Sequence, residues 1–199
     1  MKTKYIVKSR LPTKFGEFNV KAYKAKVDEF PNLALYTLNY DIEAVVDVRI
    51  HSECMTGDVF GSSKCDCGEQ LDYSMKWVQE HEGIIIYLRQ EGRGIGLVNK
   101  LHAYNLQDKG FDTKQANLEL GFHEDSRDYA VAIEILHDLN IKEIRLLTNN
   151  PSKINAFDNS GIKIKERIPI ETRVNPDNIE YLRTKKDKMG HLLSSNIKL

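Results

Sequence analysis

The sequence predicts a layered α/β/α fold in a single domain, with a mixed β-sheet and a strand-rich N-terminal portion. From residue 68 onwards, short apolar runs alternate with segments of helical periodicity, which favours parallel strands covered by helices. Before that point strand-like segments follow one another directly, which favours a mixed sheet over a purely parallel one. The chain has 199 residues and no repeat or linker-like stretch, so residues 1–199 are expected to form one domain.

The first elements are strands. Apolar and polar residues alternate from Glu17 to Lys24, which is typical of a half-buried strand. Residues 32–40 and 44–50 are predicted as two more strands.

The first helix is predicted from Gly68 to Glu82. Leu71, Met75 and Val78 recur there at helical spacing. The run IIIYL that follows is short, β-rich and bounded by glycine, which indicates a strand buried on both faces.

Helices and strands then alternate to the end of the chain. A helix is predicted after the glycine-rich segment EGRGIG, ending at Gly110. The remaining predicted elements are a helix from Asp128 to Leu139 capped by Asp125 or Ser126, a strand from Glu143 to Leu147, a helix with Asn150 as cap and Pro151 at its first position, a strand from Ile162 to Ile168, and a helix near residues 178–189.

The composition is that of an ordinary globular protein, with 41% hydrophobic and 29% charged residues. The 29 basic residues balance 29 acidic ones, so net charge provides no general attraction to nucleic acids or membranes. No apolar run is long enough for a signal peptide or a membrane span. We therefore expect a cytoplasmic protein with no nucleic-acid or membrane partner.

All three cysteines, Cys54, Cys65 and Cys67, lie within one short segment. An odd number of cysteines in a reducing compartment argues against a disulfide framework. Thiolates suit zinc, and three protein ligands are typical of a catalytic zinc that keeps a position for water. His51 could instead supply a fourth ligand, and buried inert thiols are the alternative to a metal site.

Three segments could bind phosphate. EGRGIG lies between a predicted strand and a predicted helix, where backbone amides can cradle an anion, but a tight turn would have the same appearance. TNNPSK supplies a second helix start with Thr148 and Lys153, and Arg49 ends a strand. Ordinary capping and solvated surface charges are the alternative for these residues.

The residues alone do not decide the roles of Asp125, Arg127 and Tyr104. Asp125 and Arg127 stand at a predicted helix entrance, where a carboxylate could act as a base or cap the helix. Tyr104 has the spacing of a core residue in its helix.

Taken together, these stretches resemble the GTP cyclohydrolase II family over nearly the whole chain. The resemblance rests on LPTKFGEF, RIHSECMTGDVFGSSKCDCGEQL, YLRQEGRGIGL, NKLHAYNLQDKGFDT, RLLTNNPSK and KMGHLL. It implies a catalytic domain that takes GTP as substrate in riboflavin biosynthesis. It also implies one Zn²⁺ per subunit, Mg²⁺ with the triphosphate, and a homodimer.

The resemblance implies that Cys54, Cys65 and Cys67 hold the zinc, whose water attacks C8 of guanine. The imidazole ring opens, formate and pyrophosphate leave, and 2,5-diamino-6-(5-phosphoribosylamino)pyrimidin-4(3H)-one remains. By the same resemblance, the substrate contacts are Arg49, Ile50, His51, Ser52, Glu53, Gln70, Glu91, Gly92, Arg93, Thr113, Thr148 and Lys153.

The resemblance also assigns three catalytic residues. Asp125 matches the proposed proton acceptor and Tyr104 matches a catalytic tyrosine. Arg127 matches a residue proposed as nucleophile toward the α-phosphorus, although a protonated guanidinium is normally a charge stabiliser.

The sequence departs from the family pattern at Met55, Gly94 and His102. None of these three positions is one of the functional residues named above. The 3,4-dihydroxy-2-butanone 4-phosphate synthase domain to which some relatives are fused is expected to be absent. Two alternatives are kept: a variant enzyme that stops at the formamide, against which Tyr104 argues, and a structural-zinc module that binds nucleotide or RNA without turnover.

Overall fold

The structure is a computed structural model that describes residues 3–24, 30–41, 43–123 and 125–194. The chain divides into two compact units, each assembled from three segments. Unit 1 comprises Met1–His51, Leu71–Arg89 and Tyr129–Ile170, and unit 2 comprises Ser52–Gln70, Gln90–Asp128 and Glu171–Leu199. Within the described ranges, no helix has the length and apolar character needed to cross a membrane. The expectation of a single domain stays a prediction.

Unit 1 carries a 7-stranded sheet with the strand order β1-β2-β3-β5-β4-β6-β7. The strands are β1 (Tyr5–Thr13), β2 (Gly16–Tyr23), β3 (Asn32–Thr37), β4 (Val46–Ser52), β5 (Ile84–Leu88), β6 (Glu143–Leu147) and β7 (Lys163–Ile168). The pairs β1/β2, β2/β3 and β3/β5 are antiparallel, whereas β4/β6 and β6/β7 are parallel. The predicted mixed sheet with a strand-rich N-terminal portion is confirmed.

Strand β1 was not predicted. Its residues are exposed along nearly the whole strand, including the apolar Tyr5, Ile6 and Val7. An edge strand without a buried face has no reason to alternate apolar and polar residues, so the period-2 signal is missing.

The helices are α1 (Met55–Asp58), α2 (Cys67–Glu80), α3 (Gly96–Gln107), α4 (Thr113–Glu119), α5 (Ala130–Asp138), α6 (Pro151–Asn155) and α7 (Ile179–Arg183). A 3₁₀ turn covers Glu91–Gly94, and a π-helical turn covers Thr184–Lys188. The short helices α1 and α4 were not predicted. Helix α4 nevertheless has a capping box, in which the Asp112 carboxylate accepts from the Lys114 and Gln115 amides and the Gln115 side chain accepts from the Asp112 amide.

The hydrophobic core of unit 1 lies on both sides of the sheet, as the residues of β5 show. Ile84 and Ile86 belong to a cluster with residues of α5, whereas Ile85 packs with Met75 and Val78 of α2. Because successive strand residues point to opposite faces, α5 and α2 cover opposite sides of the sheet. The layered α/β/α arrangement is therefore present within unit 1.

Two predicted helix caps had different outcomes. Asn150 caps α6 as predicted, accepting from the Ser152 amide at 2.9 Å, with Pro151 at the first helical position. The cap of α5 was predicted wrongly, because α5 begins after Tyr129 without a side-chain cap. Asp125 has a different partner, described below.

Candidate functional site

The three thiols come together in unit 2. Cys54 immediately precedes α1, and Cys67 is the first residue of α2. The sulfurs of Cys54 and Cys65 are 3.6 Å apart, and all three sulfurs lie within 4.8 Å of one another. A tetrahedral zinc with Zn–S bonds of about 2.3 Å places its sulfurs about 3.8 Å apart, so the spacing fits one ion.

This ligand group consists of the three thiols alone, as far as the described residues extend. The thiol trio therefore matches the three-ligand pattern of a catalytic metal better than a closed four-ligand site. His51, considered from the sequence as a fourth ligand, belongs to unit 1 and stacks on the ring of Tyr87 with centroids 5.4 Å apart.

The three thiols also change one another's pKa values. Hydrogen bonds from Cys65 and Cys67, together with the Lys100 ammonium, lower the pKa of Cys54 well below its usual range. The hydrogen bond with Cys54 is the main reason that the pKa values of Cys65 and Cys67 are raised. Only one thiolate is therefore favoured without a metal, and a divalent cation would favour ionisation of the other two. Buried inert thiols would not need the lysine.

Two glycines let the backbone approach the thiols. A Cβ on Gly57 would lie 3.0 Å from the Cys65 sulfur and 3.2 Å from the Cys54 sulfur. A Cβ on Gly68 would lie 2.3 Å from the Gly57 carbonyl oxygen. Only glycine allows α1 and the start of α2 to pack this closely around the cluster.

A buried lysine joins the cluster to the EGRG turn. Lys100 Nζ lies 3.0 Å from the Cys54 sulfur, 2.8 Å from Thr56 Oγ1 and 2.8 Å from Glu91 Oε1. The Glu91 carboxylate also accepts from the amides of Met55, at 2.6 Å, and Gly92, at 2.7 Å. Glu91 and Lys100 thus tie together Cys54, the first residue of α1 and the turn.

The EGRG turn is the tight connection that the sequence offered as one interpretation. Gly92 and Arg93 both have left-handed backbone, with φ of 61° and 62°. Such a conformation costs about 1 kcal/mol or more at a non-glycine residue and is found at functional sites. Arg93 lines a cavity in unit 2 that the three cysteines also line. Its Nη1 is buried without a hydrogen-bond partner in the described part of the chain. A cationic donor is therefore available to an anionic ligand.

Tyr104 is not a core residue. It lines the same cavity, and its hydroxyl lies 3.3 Å from Thr56 Oγ1. Burial raises the pKa of Tyr104, so the phenol keeps its proton at neutral pH.

Arg127 and Asp125 form an ion pair through two guanidinium nitrogens. Arg127 Nε donates to Asp125 Oδ1 at 2.8 Å and to Oδ2 at 3.1 Å, and Nη2 also pairs with Oδ2. Burial alone would raise the pKa of Asp125, but the bonds and charge of Arg127 outweigh it and hold that pKa below its usual value. Asp125 is therefore ionised, and the carboxylate favours the charged guanidinium.

The cavity of unit 2 gathers eleven of the residues predicted from the sequence. They are Ser52, Glu53, Cys54, Cys65, Cys67, Glu91, Gly92, Arg93, Tyr104, Thr113 and Arg127. Two others in unit 2 are not in the lining: Gln70, which donates to Asp66 at 2.7 Å, and Asp125.

The remaining predicted residues, Arg49, Ile50, His51, Thr148 and Lys153, lie in unit 1. Lys153 Nζ donates to the Ile50 carbonyl at 2.7 Å, and Arg49 donates to the Leu147 carbonyl at 3.1 Å. Both cations are buried, each 5% exposed, so their interpretation as solvated surface charges is wrong. The Thr148 hydroxyl accepts from the Asn150 amide at the start of α6.

Sequence reasoning missed seven residues of the cavity lining: Gln90, Ile95, Lys100, Ala103, Gln107, Asn117 and Tyr181. Lys100 had a signal, because it precedes Tyr104 by one helical turn and so shares its face of α3. Asn117 lies in α4 and Tyr181 in α7, far along the chain from the cysteines, and no pattern connected them.

Comparison with known proteins bears on this site. The family described as GTP cyclohydrolase II matches residues 4–169. The chain is 50% identical over 191 residues to "GTP cyclohydrolase-2" of Campylobacter fetus, covering 94% of this chain and 96% of the relative. The corresponding protein of Buchnera aphidicola is 50% identical over 190 residues, covering 95% and 98%.

A third relative is longer. "Riboflavin biosynthesis protein RibBA" of Chlorobium phaeovibrioides is 49% identical over 189 residues, which cover 94% of this chain but 46% of the relative. The chain thus spans somewhat less than half the length of RibBA relatives of this kind.

Proposed function

Because the chain belongs to the GTP cyclohydrolase II family, we propose that it hydrolyses GTP with opening of the guanine imidazole ring, releasing formate and pyrophosphate. This is the first step of riboflavin biosynthesis implied by the sequence resemblance. The observation that carries the proposal is the thiol trio, whose three members all line one cavity together with two arginines and two tyrosines. The thiols that would hold a metal, the cations and the phenols thus line one space, which supports its assignment as a ligand-binding site.

Zn²⁺ is the proposed metal, one per subunit, held by Cys54, Cys65 and Cys67. Three soft sulfur donors at this spacing suit zinc better than magnesium or calcium. When bound, zinc supplies a Lewis acid that activates water at neutral pH. The substrate is proposed to enter with Mg²⁺ on its triphosphate, because Mg²⁺ prefers phosphate oxygens and retains several waters.

Arg93 and Arg127 are the proposed contacts for the phosphates in the cavity. Arg93 offers a buried donor, and Arg127 is held in place by Asp125. Because Asp125 is outside the lining and its carboxylate is occupied by Arg127, we propose that it positions Arg127 instead of accepting a proton from substrate. Arg127 then acts as a charge stabiliser, since its guanidinium is kept protonated.

Tyr104 is the proposed proton donor in the step that releases formate. Its hydroxyl is fixed by Thr56 and keeps its proton at neutral pH. Glu91 is proposed to act through Lys100 and the Met55 amide, because these partners already occupy its carboxylate. Ser52, Glu53, Gly92 and Thr113 are proposed to contact the nucleotide.

The residues predicted in unit 1 and Gln70 remain proposed substrate contacts. Lys153 lies in the first turn of α6 and Arg49 in the middle of β4, and both are buried cations that could bind an anionic group. A homodimer and a cytoplasmic location also remain proposals. Sedimentation of the purified protein and fractionation of cells would test them.

One experiment tests the central proposal. The purified protein is incubated with GTP, Mg²⁺ and Zn²⁺, and formate, pyrophosphate and the pyrimidine product are assayed together. We expect all three in equal amounts, and we expect Cys65→Ser to abolish formate release while the protein remains folded. The exposed Lys109→Met serves as a control with normal turnover. Binding of GTP without any product would contradict the proposal, and accumulation of a formamide would indicate the shortened reaction.

A further inference from the structure

The family match ends at residue 169, yet side chains beyond it reach the thiol cluster of unit 2. We call residues 177–188 the C-terminal clasp. The clasp consists of α7, the π-helical turn and the two residues before α7. Tyr181 of the clasp lines the cavity that the three thiols also line.

The strongest contact of the clasp is a buried ion pair. Lys185 Nζ lies 2.5 Å from Asp66 Oδ1, and the two side chains are only 9% and 2% exposed. Asp66 stands between Cys65 and Cys67, and its other oxygen accepts from Gln70 of α2. A carboxylate at this point therefore fixes the backbone that carries two of the three thiols.

Further contacts hold the clasp on either side of Lys185. The Ser63 hydroxyl donates to Asp177 at 2.6 Å, and Lys188 pairs with Asp112 at 2.5 Å. The Lys185 ammonium also lies 4.6 Å from the centre of the Tyr181 ring, a cation–π distance. The clasp is thus tied to the cysteine loop at Ser63 and Asp66 and to the cap of α4 at Asp112.

Lys185 is the buried lysine of the π-helical turn. Thr184 and Lys185 are the buried residues of this turn, whereas Asp187 and Lys188 are exposed. The wider turn occurs within a helix that the sequence predicts as continuous from residue 178 to 189. Such turns are rare in proteins, and those that occur are often found at functional sites.

We propose that the C-terminal clasp positions Cys65 and Cys67 for metal binding, with Lys185 as a positioning residue that acts through Asp66. This inference rests on the metal site of the proposed function. The Lys185 ammonium holds the Asp66 carboxylate in place, and the carboxylate in turn holds the loop that carries the two thiols. The contacts of metal ligands commonly set metal affinity, and their loss costs roughly 10- to 100-fold.

The test compares zinc dissociation from two variants that lose the same charge. Lys185→Met removes the ion pair with Asp66, whereas Lys186→Met removes the charge of a neighbour that is only partly buried. Zinc release to a chromophoric chelator is expected to be at least about tenfold faster in Lys185→Met and unchanged in Lys186→Met. Lys185→Arg keeps the pair and is expected to restore slow release.

Two further measurements separate positioning from general destabilisation. With Co²⁺ in place of zinc, the d–d absorption bands of Lys185→Met are expected to shift, because they report the geometry of the sulfur ligands. Asp66→Asn removes the same ion pair at constant side-chain volume, so faster release is expected there as well, and this variant decides the matter if Lys185→Met does not fold. Unchanged release and unchanged cobalt bands in a folded variant would overturn the proposal.

These measurements require no turnover. An inactive protein whose zinc release depends on Lys185 would contradict the proposed function alone. An active protein whose zinc release is indifferent to Lys185 and Asp66 would contradict the clasp alone.

Discussion

The ammonium of Lys100 lies 3.0 Å from the sulfur of Cys54 and 2.8 Å from Oε1 of Glu91. One buried cation thus bonds both to a proposed metal ligand and to a carboxylate that holds the start of α1. Three thiolates around one divalent ion carry a net charge of −1, and burial of that charge is costly unless a cation lies beside it. Lys100 is the cation that meets this need.

We therefore expect Lys100→Met to weaken zinc binding by roughly 10- to 100-fold. The variant also leaves Glu91 buried without its cation, so the free energy of unfolding is expected to fall by about 3 kcal/mol. Zinc competition titrations and urea unfolding measure the two effects. Lys109→Met, at an exposed position just after α3, is the control. Equal zinc affinity in both variants would remove Lys100 from the metal site.

Gly57 supports a second prediction, because it lies against the thiols. The added Cβ of Gly57→Ala would meet the Cys65 and Cys54 sulfurs at 3.0 and 3.2 Å, which forces at least one thiol to move. Ligand positions must hold within about 0.2 Å for a metal site, so zinc affinity is expected to fall by at least about tenfold. Formate release at limiting zinc should fall in parallel.

Gly61→Asn is the matched control for this glycine. Gly61 has left-handed backbone, which asparagine tolerates, and no atom lies within 4 Å of its added Cβ. We expect zinc affinity close to that of the unmodified protein. If Gly57→Ala also bound zinc normally, the close packing of α1 on the thiols would not matter to the metal.

Elements with a local signal were predictable from the sequence. Strand IIIYL was predicted with the bounds that the structure has, because a buried strand is apolar throughout. The start of α6 was predicted from Asn150 and Pro151, which act within one turn of the helix. Strand β1 has no buried face, so its sequence carries no period that could reveal it.

The site divides in the same way. The thiol trio was predictable because its members lie close together in the chain, and their spacing limits what they can bind. The ion pair of Asp66 with Lys185 joins residues 119 positions apart, and nothing in either local sequence indicates the partner. Asp125 looked like a helix cap, but its bonds to Arg127 could be recognised only in three dimensions.

The charge of Asp138 makes a prediction about pH. Its carboxylate accepts from the Tyr23 hydroxyl at 2.7 Å and from Lys21 at 3.2 Å within unit 1. Burial alone would raise the pKa of Asp138, but these two partners outweigh it and lower that pKa. A carboxylate with a lowered pKa stabilises the fold above its unfolded pKa of about 3.9, and this contribution is lost as the pH falls through the lower folded value.

Asp138→Ala is therefore expected to lower the free energy of unfolding by about 1 kcal/mol at pH 7, a modest value because the carboxylate is partly exposed. The difference from the unmodified protein should shrink as the pH is lowered below about 4. Urea midpoints at pH 7 and at low pH measure it. Asp158→Ala, which removes an exposed carboxylate of the same unit, is the control. A difference that grew on acidification would contradict the assignment.

Arg127 provides the last prediction, on the cleavage that releases pyrophosphate. Two of its nitrogens contact Asp125, and this pairing keeps the guanidinium charged and therefore a poor nucleophile. As a charge stabiliser, Arg127 should leave no covalent nucleotide on the protein, so intact-protein mass spectrometry of quenched reactions with GTP should find the unmodified mass. Arg127→Ala should slow pyrophosphate release by about 100-fold, as loss of one stabilising donor does elsewhere. Asp125→Asn should give a smaller loss, since the arginine remains but is less firmly held, and the exposed Arg173→Ala should be normal. A nucleotide adduct that disappears in Arg127→Ala would establish the nucleophile instead.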